Sequence, residues 1–499
     1  MRTGETLVSN PALPYVPRMT DRKRGILLGI LALALFLMTS GGRLYVNDSH
    51  IKLQSARALV QQGTLAIPSF GQLTFVSPKD SRSYAKFEPL HSLLFVPACA
   101  VARYAVSAGW VEPASQVYLE GALASMVSPL LAAIAIAIFF FWLRELGLGA
   151  RTSQAGALLF ASATILWPYT KRSWTEVPQM AALLAAVWLV TRFTRTGRPR
   201  DILLAGFLAG VVASFRVTGV VALPWLPLYL LVRMRQGRVG ALARMAAGFT
   251  IAFFLLSLSF NWWRFGSLFD VYRWRTGGFT TPFFEGLWGL IASPGESVFL
   301  YSPVLILALF GMRKLERAHR GGALLAVGIP ASLLCLYASW WFHAYTWGPR
   351  FLIPAIPFLL APAMFRLEAM KGKTRFFARG LIVVSVGVQV LGVLWHLGGL
   401  TELSRPLHEA GLLSVDRTVT REETWHDWRR TRLTAHAMAA VQSIAPRAGR
   451  SHDYPLDLWP AQAHAFFGFP ITLAWSIEAA LLCGLVLLFY VLRFKESEE

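Results

Sequence analysis

Asp21-Arg-Lys-Arg-Gly-Ile-Leu-Leu-Gly-Ile-Leu-Ala-Leu-Ala-Leu-Phe-Leu-Met38 and, after a short gap, Tyr45-Val-Asn-Asp-Ser-His-Ile-Lys-Leu-Gln-Ser-Ala-Arg-Ala-Leu-Val-Gln-Gln-Gly63 decide how the rest of the chain is read. The first is an apolar run behind a basic cluster. A long polar leader precedes it and no small-residue cleavage site follows, so it reads as an uncleaved first membrane helix with its N-terminus in the cytoplasm. In the second stretch Leu53, Ala56, Leu59 and Val60 recur at helical spacing, and Gly63 ends the run. That pattern describes an amphipathic helix lying on the membrane surface.

Apolar runs recur along all 499 residues. The chain is 55% hydrophobic and only 15% charged, with a mean hydropathy of +0.49. Soluble domains carry roughly 25% charged residues, and no globule could hide this much apolar sequence from water. The chain is read as an all-α polytopic membrane protein. Cys99, Cys335 and Cys483 all fall inside apolar runs, so there is no disulfide framework. The net charge of +21 is assigned to arginine-rich inside loops facing an anionic leaflet, not to nucleic acid.

Further crossings are expected at about 117–143, 153–167, 177–191, 201–215, 218–232, 245–261, 298–312, 321–339, 351–365, 377–399 and 470–492. Basic loops at Arg192–Arg200, Arg233–Arg244, Arg313–Arg320 and Arg366–Arg379 mark the cytoplasmic side. Parity then requires an odd number of crossings between the outer loop 41–89 and Arg192. The segment 90–108, broken by Pro97 and carrying Arg103, is therefore predicted to enter the outer leaflet without spanning. About twelve crossings result, both termini are cytoplasmic, and the hairpin 201–232 turns near Arg216 on the outer side. The layout is a tail (1–24), a catalytic membrane module (25–365), a further crossing (366–399), an outer loop (400–469), and a last crossing with its tail (470–499).

The outer face gathers the polar material and hence the candidate site. Asp48 stands at the exit of the first crossing, where it either caps the surface helix or does chemistry. Lys86 and Glu88 precede the embedded segment, and for Glu88 an interfacial anchor is favoured. Lys171, Arg172 and Glu176 crowd the next outer turn, and Glu176 also suits a helix start. Arg264 follows Asn261-Trp-Trp. Ser293-Pro-Gly-Glu-Ser297 is expected to open a helix whose N-terminus is a ready anion site. Arg350 opposes the dipole of the helix it starts, so it needs an anionic partner. His343 is a lone histidine without a spaced partner, which argues against metal ligation. An acid beside several cations at the bilayer boundary suits a lipid-linked phosphate, with the carboxylate accepting a proton from an attacking hydroxyl. In the loop 400–469, Thr420-Arg-Glu-Glu423 fits a capping box. Trp425, Trp428, Arg432, Ala435 and Met438 follow at near-helical spacing, predicting one amphipathic helix over the site or the module's outer surface.

These residues resemble the GT-C class of membrane glycosyltransferases. They are similar to bacterial glycosyltransferase family 39 and its RgtA-like proteins, related to protein O-mannosyltransferases and aminoarabinose transferases. The likeness lies in Asn47-Asp48 with its following helix, Lys86-Phe-Glu-Pro-Leu, Trp167-Pro-Tyr…Thr175-Glu176, and Phe215-Arg216. It continues through Asn261…Arg264-Phe-Gly266, Ser293-Pro-Gly…Tyr301-Ser-Pro303 and Trp347-Gly-Pro-Arg350. The resemblance implies a GT-C fold with membrane-surface helices in the first outer loop. It also implies a polyprenyl-phosphate sugar donor and inverting transfer at the periplasmic or exterior face of the cytoplasmic membrane. Asp48 would be the general base, with Glu176 near the acceptor or orienting the site. Lys86, Arg264 and Arg350 would hold the donor phosphate, and Arg216 would line the pocket. Arg172, Tyr301 and His343 complete the expected substrate-binding set.

Two departures stand out. Relatives often carry an acidic pair where this chain has Asp48-Ser-His50, which leaves dependence on a divalent metal open and no metal ligand assigned. Lys86-Phe-Glu-Pro replaces Lys-Pro-Pro. The acceptor is a protein, lipid or polysaccharide. The alternative reading is a transporter or flippase for lipid-linked sugars, which would place its ionisable groups near the bilayer midplane.

Overall fold

The computed structural model describes residues 20–494 except 270–278, 341–345, 397, 399, 415–416, 445–455, 461–463 and 465–469. Among the described residues the strands are confined to one hairpin, β1 (Thr74–Val76) and β2 (Ser83–Ala85), antiparallel with Phe75 opposite Tyr84. Helices make up the rest. The first half runs α1 (Asp21–Met38), α2 (Asn47–Gln62), α3 (Pro89–Ser107), α4 (Gln116–Ser125), α5 (Val127–Glu145), α6 (Ala150–Ser162) and the short α7 (Leu166–Thr170). Next come α8 (Glu176–Thr196), α9 (Pro199–Phe215), α10 (Trp225–Arg233), α11 (Arg238–Phe253) and α12 (Ser259–Phe265). They are followed by α13 (Phe283–Ala292), α14 (Val298–Tyr301), α15 (Met312–Ala318), α16 (Gly322–Ala338), α17 (Ile356–Glu368) and α18 (Gly372–Leu394). The C-terminal part holds α19 (Leu400–Glu409), α20 (Arg421–His426), α21 (Arg432–Ile444) and α22 (Ile471–Phe494).

Six helical stretches among the described residues are long and apolar enough to cross a membrane: Pro89–Ser107, Pro113–Glu145, Glu176–Thr196, Arg238–Phe265, Arg350–Glu368 and Gly372–Leu394. Shorter apolar helices add to these at Val217–Arg233, Phe283–Ala292, Gly322–Ala338 and Ile471–Gly484. Several expected crossings are therefore interrupted, and proline is the reason: it lacks the N–H that a helix interior needs. Pro224 separates a 3-10 turn at Val217–Ala222 from α10, and Pro303 ends α14 after one turn. The segment Arg350–Ala355 is 3-10 before α17 begins. The Ser293–Ser297 motif thus opens a single turn, not a long helix. Ser297 accepts from the N–H groups of Phe299 and Leu300, which fills the anion site expected there.

Pro97, by contrast, leaves α3 unbroken over 19 residues, about 28 Å at 1.5 Å per residue. The predicted half-embedded segment is thus a full-length helix. The Arg103 charge is used locally: Nη1 donates to the Val60 carbonyl of α2 at 2.6 Å. As expected, α2 ends at Gly63, whose φ of 68° only glycine adopts freely. It is buried on two sides. Leu53 and Ala56 meet Phe95 and Cys99 of α3, while Ile51 and Ala58 meet Ile67 and Ala85 of the hairpin region.

The core centres on α8, buried along most of its length. Helices α9 and α11 approach closely because Gly206 and Gly248 leave room: a methyl on either would run into the backbone of the other helix. The two ends of the bundle differ. At one end Asp21 pairs with Arg144 at 2.9 Å, Glu145 with Arg195 at 2.7 Å, and Asp201 with Arg192 at 3.3 Å. The opposite end therefore carries the C-terminus of α1, the N-terminus of α8 and the C-terminus of α9. Asp48, Glu176 and Arg216 sit there.

The capping box forms, with the Thr420 and Glu423 side chains each bonded to the other's backbone N–H. The single helix expected beyond it does not. Asp427 leaves helical geometry and its carboxylate caps Arg429 N, so α20 and α21 are separate. Ala435 and Arg432 of α21 are buried while Trp428 is exposed.

Candidate active site

The turn Lys171–Thr175 delivers Glu176 to the first position of α8. Its carboxylate is 2% exposed and faces the positive end of the helix. Arg216 Nη1 donates to Glu176 Oε1 at 2.7 Å, and Arg350 Nε lies 3.9 Å from the same oxygen. Arg350 therefore has the anionic partner its position called for. Arg216 reaches inward because α9 ends there in extended backbone, φ −162° and ψ 121°. Both guanidinium groups lie 4.5 Å from the Phe351 ring, and Arg350 also lies 3.9 Å over Trp174. Glu176 Oε2 is buried with no hydrogen-bond partner among the described residues.

Helix α2 brings the second acid and another cation. Asp48 lies in its first turn, and Lys52 follows one turn later on the same face. Lys52 is 1% exposed; its Nζ donates to Thr175 Oγ1 at 2.8 Å and lies 4.9 Å over the Phe87 ring. Burial pulls the Lys52 ammonium down to about 8, partly offset by the Asp48 and Glu176 carboxylates and reinforced by Arg216 and Arg350. Burial likewise lowers Lys86, whose charge feels Asp48 and Arg216. Asp48, Lys52, Lys86, Glu176, Arg216 and Arg350 thus form one electrostatic cluster, with cations exceeding carboxylates.

Arg264 stands differently from the phosphate ligand expected there. Its Nη1 donates to the carbonyls of Ala85 and Phe87 at 3.2 and 3.0 Å, and its Nη2 to Asn261 Oδ1 at 2.7 Å. Those carbonyls flank Lys86, so Arg264 clasps the bend just after β2 that carries the lysine. Next to it, burial raises Glu88 to about 7, with the Arg264 charge opposing.

Arg172 and Tyr301 belong to a second, adjoining centre. Arg172 is 6% exposed and Tyr301 fully buried. Tyr169 feels the charges of Arg172, Arg350 and Glu296, which joins this centre to the first. Arg432 of α21 enters it, 4% exposed and sensing Arg172, Tyr301 and Glu296. Tyr301 packs edge-on against Trp347 at 5.2 Å, and Trp347 meets His436 at 4.7 Å. Beside it, Lys171 Nζ pairs with Asp457 at 3.0 Å, and Tyr45 donates to the same carboxylate at 3.0 Å. His343 lies outside the described residues. Among those described, no three His, Cys, Asp or Glu side chains gather as metal ligands.

Residues 120–263 match the family model described as dolichyl-phosphate-mannose-protein mannosyltransferase. No curated protein matches the sequence. The structure resembles ArnT from Cupriavidus metallidurans bound to undecaprenyl phosphate, at 15% identity and TM-score 0.52, over 83% of this chain and 74% of that one. The apo form of the same protein matches at 16% identity and TM-score 0.50 over the same shares. The chain has the GT-C fold.

Within that GT-C fold, the sequence named most of the first centre and set Arg432 on a helix over the site or the module's outer surface, but Lys52 and Asp457 were missed. For Lys52 a signal existed, the Asp48-x-x-x-Lys52 spacing that aligns two side chains on one helix face. Asp457 had none, since only tertiary packing brings its segment against the GT-C module.

Proposed function

We propose that this protein is an inverting glycosyltransferase that moves a sugar from a polyprenyl-phosphate donor to an acceptor hydroxyl at the outer face of the cytoplasmic membrane. The observation that carries this reading is the excess of cations, buried Lys52 with half-buried Lys86, Arg216 and Arg350, over half-buried Asp48 and buried Glu176 at one end of the bundle. Such an excess suits a lipid phosphate, and the fold is shared with a protein whose structure holds undecaprenyl phosphate.

The chemistry is one displacement. The acceptor oxygen attacks the anomeric carbon from the face opposite the phosphate. The bond from that carbon to the phosphate oxygen breaks, and its electron pair leaves with the polyprenyl phosphate. Asp48 takes the acceptor proton, while Lys52, Lys86, Arg216 and Arg350 neutralise charge growing on the leaving group. Lys86 contacts the phosphate because Arg264 fixes the bend that carries it, and Glu176 orients Arg216 and Arg350. Only one carboxylate need exchange a proton, unlike the pair a glycosidase requires.

The test is a transfer assay with undecaprenyl-phosphate-linked sugar and membranes as acceptor source. Asp48→Asn should reduce transfer on the order of a hundredfold to ten-thousandfold while the protein still folds and inserts. Full activity in that variant removes Asp48 as base. Lipid translocation without a covalent product in reconstituted vesicles makes the protein a flippase instead.

A further inference from the structure

Arg172 is the anomaly of the molecule. Its guanidinium sits in a residue 94% buried, since 6% is exposed. Among the described residues its side chain has no hydrogen bond, ion pair or aromatic ring to hold it; only its backbone N–H is bonded, to the Tyr169 carbonyl at 3.2 Å. Its neighbours aggravate the problem. Lys171 is adjacent and Arg432 lies within electrostatic reach. The histidines that sense Arg172, His396 and His436, are both driven to about 3 by burial, so they stay neutral. Of the carboxylates of this centre, Asp457 is engaged by Lys171, Tyr45 and Arg43, and Glu296 faces Arg432, Tyr169 and Tyr301. A cation held largely out of water without a counter-charge is unfavourable, and a protein tolerates it where a ligand supplies that charge.

We propose that Arg172, with Arg432 beside it, is the receiving site for an anionic group on the acceptor, a phosphate or a carboxylate. The inference rests on the glycosyltransferase reading and names the class of acceptor. The position fits that role. The strained turn at Ser173, with φ of 41°, sets Arg172 and Glu176 on its two sides. Trp174, on that turn, stacks under Arg350 of the donor cluster. A donor phosphate held by the first centre would then lie beside, and separate from, an acceptor anion held by the second. His436 Nε2 and Trp347 Nε1 are buried with no partner among the described residues and sit at the edge of the same centre. Because α21 supplies Arg432, the acceptor site is completed by the C-terminal segment, whereas the donor site is not.

The experiment uses full-length protein in detergent, first saturated with undecaprenyl phosphate and then titrated with inorganic phosphate or glucuronate by calorimetry. One anion should bind per lipid-loaded protein, and its affinity should fall by about tenfold or more in R172M. Preference between phosphate and glucuronate tells which group the acceptor carries. Undecaprenyl phosphate should bind R172M as it binds the parent. Ligand-free R172M should melt no lower than the parent, because the substitution removes an unpaired buried charge. Should R172M fail to accumulate, R172Q is titrated in its place, and unchanged phosphate affinity there overturns the site. The proposal is also overturned if neither anion binds lipid-loaded protein, if R172M binds them equally well, or if R172M loses undecaprenyl phosphate too. Failure of undecaprenyl phosphate to bind the parent protein is a separate result, against the donor reading, and anion titration of lipid-free R172M still decides the role of Arg172.

Discussion

Ser49 Oγ donates to the carbonyl oxygen of Ser173 at 3.0 Å, a bond between residues 124 positions apart. One partner follows Asp48, and the other lies between Arg172 and Glu176. The bond therefore fixes the proposed base relative to the turn that joins the two arginine-containing centres. Ser173 holds a φ of 41°, a conformation that side chains other than glycine rarely adopt. Its own hydroxyl is buried and has no partner among the described residues.

The strain at Ser173 predicts opposite outcomes at the two serines. Ser173→Gly should leave stability unchanged or raise it by about 1 kcal/mol, because the left-handed backbone becomes unstrained and no hydrogen bond is lost. Ser49→Ala should lower stability by about 1 kcal/mol and reduce kcat more than donor KM, since it loosens Asp48 against the turn. Thermal unfolding and transfer kinetics check both, and destabilisation by Ser173→Gly beyond Ser49→Ala would refute the strain argument.

Lys52 predicts the basic limb of the pH profile. With the ammonium drawn down to about 8, it is protonated at neutral pH and loses its charge as pH rises through 8. Donor KM should therefore increase above pH 8, and Lys52→Met should flatten that limb. Stability moves the other way: the unfolded lysine keeps its proton above 8 and the native one does not, so native stability rises from about 8 toward the ordinary lysine value. Measuring KM and unfolding against pH in both proteins separates the two effects; the same limb in Lys52→Met assigns it elsewhere.

If Arg264 acts by holding the bend that carries Lys86, the two residues are not independent. Arg264→Met should raise donor KM by about tenfold, Lys86→Met by a similar factor, and the double variant by little more than either. Multiplying effects in the double-mutant cycle would mean that Arg264 touches the donor on its own account.

The Lys171–Asp457 pair ties the segment around residue 457 to the module. Burial would raise the Asp457 carboxyl, but Lys171 at 3.0 Å overrides it and holds the group below its ordinary value. Breaking this buried pair with Asp457→Asn should cost about 3 kcal/mol, because Lys171 is left uncompensated. Replacing both partners with apolar residues should cost less. Urea unfolding of single and double variants in detergent reads the difference, and equal losses would show the pair to be incidental.

The sequence by itself determined the membrane-embedded helical class, the helix ending at Gly63, the capping box at Thr420–Glu423, and most of the cations and acids of the first centre. All of these are local: apolar run length, 3.6-residue periodicity, one glycine's backbone freedom, and charge at helix ends. Tertiary structure alone decided the rest. Proline interrupted crossings that hydropathy reads as continuous, since a window average does not see a missing N–H. Packing turned Arg264 onto backbone carbonyls, buried Lys52 among aromatic and polar neighbours, and carried Arg432 and Asp457 across hundreds of residues to meet Arg172 and Lys171. Burial and long-range proximity belong to the assembled chain, and no spacing along it encodes them.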